Sequence, residues 1–177
     1  MKKVLINLFL IIAFIIIYLL QVNLFSWFKI AGVMPNLFVI FILFIGLFFS
    51  RAIGVTYGVI FGLLLDLFVS KKIGVSAIML GIVGLIGEVF DRNFSKESRI
   101  TIMLMVIFTT CIYEVGSYIL GYFIYGYSFE ILQFLKILLL EVLYNEIITI
   151  IVYPLIQNLG YKIEEEYKGN KILTRYF

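Results

Sequence analysis

Polar and charged residues punctuate this 177-residue chain at intervals that match the thickness of a bilayer. A helix needs about 20 apolar residues to cross the hydrocarbon core. The apolar stretches predict six spans at roughly 3–22, 35–50, 53–69, 73–90, 100–125 and 129–159. Asn23 to Asn36 links the first two and contains Trp27, Lys29, Gly32 and Pro35; Phe25, Trp27 and Phe28 suit the membrane–water interface. Arg51 closes the second span, Ser70-Lys71-Lys72 the third, and a charged loop, 91–99, follows the fourth. Gly126 marks the turn before the last span, where Pro154 either kinks the helix or begins its exit. The fold class predicted is all-α, a polytopic membrane protein with one transmembrane domain over 1–160 and a short polar cytoplasmic tail over 161–177. Very short loops after spans two, three and five make those neighbours antiparallel.

Sidedness follows from the basic residues of the short loops. With the N-terminus inside, the inner side carries Lys2, Lys3, Arg51, Arg92, Lys96, Arg99, Lys162, Lys168, Lys171 and Arg175, and the outer side only Lys29, Lys71, Lys72 and Lys136. Both ends are therefore expected in the cytoplasm. The start could pass for a signal peptide, but no small-residue cleavage site follows Leu20, so a retained first helix is expected.

Composition sharpens this picture. Hydrophobic residues make up 63% of the chain and charged residues 14%, against roughly half and a quarter in soluble domains. The net charge of +3 and the scattered basic residues give no nucleic-acid footprint. There is no histidine, which removes His-based acid–base catalysis, the Ser-His-Asp triad and most zinc sites. Cys111 is the single cysteine and reads as apolar filler in a span. No cofactor or metal is expected, and nothing supplies an activated nucleophile or a phosphate-binding loop.

Two spans carry small-residue faces. Gly54, Gly58 and Gly62 stand four apart with Asp66 four further on, and Gly74, Ala77, Gly81 and Gly84 precede Glu88. Each step of four drifts about 40° around a helix, so each set lines one broad face suited to close helix packing. Asp66 either reaches water or Lys71 and Lys72 at the helix end, or serves a partner interface or cavity. Glu88 and Arg92 have the favourable order for an ion pair. The later spans carry Glu114, and Glu141 with Asn145 on one face. These three become neighbours if spans five and six form a hairpin, and then bond internally, line a cavity or grip a partner helix.

The order of features resembles the rod shape-determining protein MreD family. The stretch runs from Met34-Pro35-Asn36-Leu37 through Gly46-Leu47, Arg51, Gly54, Gly58 and Phe61-Gly62-Leu63-Leu64-Leu65-Asp66 to Gly74 and Ser76-Ala77, with Asn145 and Pro154 in the last span. The family typically has Pro-Asp where this chain has Pro35-Asn36. The resemblance implies a non-catalytic scaffold of the cell-elongation machinery in the bacterial cell membrane. Its partners would be lipid, an MreC-like bitopic protein and, more widely, an actin-like MreB homologue and wall-synthesis enzymes. It also implies a fold similar to the substrate-binding subunits of energy-coupling-factor transporters, so a vitamin-type carrier subunit is the competing reading. A membrane enzyme is the third.

Overall fold

The computed structural model describes residues 2–70, 73–126 and 130–168, and these are mostly helical with no strand among them. We number six long helices. α1 is Lys2–Leu19, continued by a π-helical turn, Leu20–Leu24, and a last turn, Phe25–Trp27; α2 is Leu37–Phe48. α3 is Arg51–Leu65, extended by a π-helical turn, Asp66–Ser70. α4 is Val75–Asn93, α5 is Arg99–Tyr125 and α6 is Ile131–Lys168. Among the described residues, three stretches suffice by length and composition to cross a membrane: Val4–Trp27, Arg51–Val69 and Arg99–Tyr125; α2 is apolar but shorter.

Local chemistry sets the boundaries. The Asn36 side chain accepts the Val39 N–H (3.3 Å) and caps α2. Extended backbone at Phe49 and Ser50 separates α2 from α3, and the Ser50 carbonyl accepts the N–H groups of Ile53 and Gly54. Arg51 therefore opens α3, where the charge pattern had it close the preceding span. Gly74 (φ 105°) turns the chain into α4, and Gly126 (φ 66°) ends α5; both angles favour glycine. α6 passes through Pro154 without ending and continues beyond Gly160 to Lys168. The predicted tail thus begins as helix, and its residues 169–177 lie outside the described residues, as do Lys71 and Lys72.

α2 is the axle of the bundle: eleven of its twelve residues are buried, and it packs against α3, α4, α5 and α6. α3 and α4 form the closest pair. A Cβ added to Gly54 would lie 2.8 Å from the Gly84 carbonyl, one at Gly58 would overlap the Leu80 carbonyl, and one at Gly62 would lie 2.5 Å from Ala77 Cα. Gly84 meets the Gly54 carbonyl in return. The contacts advance by four on α3 while retreating by about four on α4, the signature of antiparallel backbones touching along their length. Gly46 of α2 and Gly87 of α4 close a second seam, each Cβ position lying within 3.0 Å of the partner's backbone. Gly81 differs from its neighbours, for a Cβ there would meet only the Val59 side chain.

α1 lies outside this block. Ile6, Leu10 and Phe14 form its buried stripe, and the Phe14 ring stacks on Phe61 at 4.2 Å between centroids. Most of its other large apolar side chains face outward, as do Leu104, Phe123, Leu132, Leu139, Leu143 and Ile151 on α5 and α6. Apolar surface on this scale, wrapped around helices, is solvated by lipid rather than water.

Candidate functional site

The loop after α1 is a tight hairpin. Ile30 and Val33 exchange both backbone hydrogen bonds (2.9 and 3.0 Å) across Ala31 (φ 49°) and Gly32 (φ 86°). Three side chains fasten the segment to the bundle. Gln21, in the π-helical turn that continues α1, donates to the Pro35 carbonyl (2.6 Å) and accepts the Leu37 N–H (3.1 Å). Asn145 Oδ1 of α6 accepts the Asn36 N–H at 2.7 Å, across 109 residues of sequence. The Tyr144 hydroxyl donates to the Phe28 carbonyl (2.6 Å).

Asn145 is the hub of this end. It is fully buried, its Nδ2 donates to Thr110 Oγ1 (3.0 Å) on α5, and its carbonyl accepts the Thr149 hydroxyl (2.7 Å). One turn toward the hairpin stands Glu141, 7% exposed, with its carboxyl against that of Glu114 on α5 and beside the Asn36 side chain. The Tyr113 hydroxyl reaches Ser76 and Asn36. Glu114 and Glu141 thus meet across α5 and α6, while Asn145, one turn along, bonds Asn36 and Thr110 instead, and Ser76 and Tyr113 stand beside Asn36.

Asn36, Ser76, Tyr113 and Glu141 of this cluster wall a partly open cavity of about 560 Å³. Gln21 and the hairpin form one side; Phe38, Leu65, Val69, Ser76 and Tyr113 the floor; Gln133, Lys136, Ile137 and Glu141 of α6 the far side. Tyr113 and Gln21 escape a sequence reading because their relevance depends on the hairpin's fold. The one available signal for Gln21 is its place at the end of a long apolar run.

Asp66 lies beside this region with a structural task. It is 0% exposed, and its oxygens accept the N–H groups of Gly74 (2.8 Å), Ser76 (3.1 Å) and Ala77 (3.2 Å). The carboxylate ending α3 therefore caps α4, where its negative charge also meets the positive helix end. This replaces the expectation that it reaches water. Asp66→Ala is expected to cost about 2–4 kcal/mol, because three buried donors lose their acceptor. Asp66→Asn, which retains one acceptor oxygen, should cost clearly less; unfolding by SDS titration in mixed micelles compares them.

The opposite end of the bundle holds the ionic cluster. Arg92 pairs with Glu88 at 2.5 Å, and Arg51 approaches Glu88 at 4.0 Å, joining the start of α3 to the end of α4. Lys96, only 11% exposed, bridges Asp91 (2.7 Å) and Glu164 (2.6 Å), donates to the Leu47 carbonyl (3.2 Å) and lies over the Phe48 ring at 4.9 Å. This one ammonium ties together the ends of α2 and α4 and the extension of α6. Among the described residues no group of three or more acidic or cysteine side chains is arranged to hold a metal.

Residues 1–163 match the family model described as rod shape-determining protein MreD. No curated protein and no solved structure matches the chain.

Proposed function

The chain belongs to the MreD family of rod shape-determining proteins, and from that premise we propose that it is a non-catalytic scaffold of the cell-elongation complex, supporting peptidoglycan synthesis. It crosses the bacterial cell membrane six times with both ends in the cytoplasm. The family match over residues 1–163 carries this reading. The ionic end, with Arg51, Arg92, Lys96 and Arg99, suits a cytoplasmic face, and the hairpin end, with Lys29 and Lys136, the outer one.

The architecture suits a scaffold. Backbone-to-backbone contact between α3 and α4, closed at one end by Asp66 and at the other by Glu88 and Lys96, makes a stiff block. Beside that block, α1, α2 and α6 enclose an apolar groove of about 480 Å³ lined by Phe9, Ala13, Ile16, Phe44, Ile151 and Leu155, among others. We place the single membrane helix of an MreC-like bitopic partner in this groove. Such association relies on close packing where lipid supplies no hydrophobic drive.

Depleting the protein is expected to round the cells, and wild-type copies should restore the rod. Ala13→Trp, which fills the groove, should reach the membrane in normal amount yet lose co-purification with the bitopic protein and fail to restore shape. Rod cells of normal width after clean deletion would overturn the scaffold reading.

A further inference from the structure

The cavity at the hairpin end contains a group that helix packing leaves incomplete. Glu141 is 7% exposed and lines the cavity, and its Oε1 has no hydrogen-bond partner. A buried carboxyl oxygen left unsatisfied costs free energy that a packed interior ordinarily avoids. Replacing Glu141 by leucine would remove that cost if helix packing were the only demand at this position.

The surroundings specify what would complete it. The Glu114 carboxyl lies directly against that of Glu141. Two facing carboxyls repel as anions unless a proton or a cation sits with them. Beside them, Asn36, Ser76 and Tyr113 offer amide and hydroxyl groups, while Phe38, Leu65, Val69 and Ile137 supply an apolar wall. The opposing charge, Lys136, is exposed at the rim, where water screens it and where the polar end of a ligand would meet it. About 560 Å³ lies within the range of small-molecule sites, which pair apolar walls with a few placed polar groups.

We propose that this cavity binds a small molecule through an ammonium group seated on Glu141, with the apolar body of the ligand against Phe38, Leu65 and Ile137. An ammonium offers three donors, enough to serve the Glu141 carboxyl and the neighbouring hydroxyl and amide oxygens together. Its positive charge is one of the two ways, with a shared proton, of relieving the repulsion between the carboxyls. The site is separate from the groove between α1 and α6, so the ligand and the scaffold reading stand or fall independently.

The test uses the full chain in lipid nanodiscs and tryptamine as probe, with 3-methylindole as the matched ring lacking the amine. Calorimetric titration of the wild-type protein is expected to show saturable tryptamine binding and at least tenfold weaker binding of 3-methylindole, the ratio expected for a hydrogen bond to a charged group. This arm needs no variant. Glu141→Gln keeps the shape and removes the charge, and should weaken tryptamine roughly tenfold or more, with the circular dichroism unchanged. Ile137→Trp, which fills the cavity, should abolish binding. No saturable tryptamine binding, equal binding of the two probes, or binding that survives both substitutions would overturn the proposal.

Discussion

Gly58→Ala is expected to destabilise the protein by about 2–3 kcal/mol, and Gly58→Val by more. The added Cβ would fall on the Leu80 carbonyl, with the Leu80 carbonyl carbon at 2.7 Å and Gly81 Cα at 3.0 Å. All of these are backbone atoms, which cannot rotate away as a side chain can. Relief requires α3 and α4 to move apart, and such movement also loosens Gly54 on Gly84 and Gly62 on Ala77, which share the seam. In a membrane the loss is not recovered elsewhere, because packing at close range is what holds these helices together. Gly81→Ala is the internal control. It belongs to the facing small-residue set on α4, yet its Cβ would meet only Val59 Cγ2, at 2.9 Å, a side-chain atom able to shift. Its expected cost is below about 1 kcal/mol. SDS-titration midpoints in mixed micelles separate the two, and equal midpoints would show that the seam is not tight.

The contrast between Gly58 and Gly81 also shows what periodicity can and cannot disclose. A spacing of four places residues on one face of their own helix, so Gly54, Gly58 and Gly62 were legible as a packing surface. It says nothing about which atoms arrive from the other side. Gly81 fell in the right register and faces a side chain; Gly46 and Gly87 press on backbone, yet Gly46 was buried in an unbroken apolar run and gave no signal of a seam. The same limit applies at the polar sites. Glu141 and Asn145 share a face of α6 by simple counting, and their approach to Glu114 follows once α5 and α6 form a hairpin. Their meeting with Asn36 depends on the two-residue turn at Ala31-Gly32 and on Gln21 holding Pro35 and Leu37, tertiary facts that no window of the chain contains. Asp66 looked like a charge at a helix end because it is one; that it turns inward to cap the next helix depends on Gly74 reversing the chain.

Lys96→Met is the second large effect expected, about 3–5 kcal/mol. The stretch 91–99 reads as a charged loop, and Glu164 as part of a polar tail, so the chain pattern holds no hint that they belong together. In the folded chain the Lys96 ammonium is 11% exposed and shared between Asp91 and Glu164, themselves 8% and 16% exposed. Methionine preserves most of the stem that lies over Phe48 but removes the cation both carboxylates share. Two negative charges are then held close together in a largely dry setting, and the Leu47 carbonyl loses its donor as well. Because the cluster is mostly shielded from water, salt should change its contribution little, unlike that of the exposed Arg92 beside Glu88. The decisive comparison is the triple variant Lys96→Met with Asp91→Asn and Glu164→Gln. If the loss comes from stranded charge rather than from a missing contact, neutralising the carboxylates should recover more than half of it in SDS titration. Recovery of none of it would mean that Lys96 acts chiefly through its bond to Leu47 and its packing on Phe48. The same variants probe the scaffold, since Lys96 is what fastens the long extension of α6 to the stiff block of α2, α3 and α4; single-site proteolysis at the 94–98 loop should quicken in Lys96→Met and slow again in the triple variant.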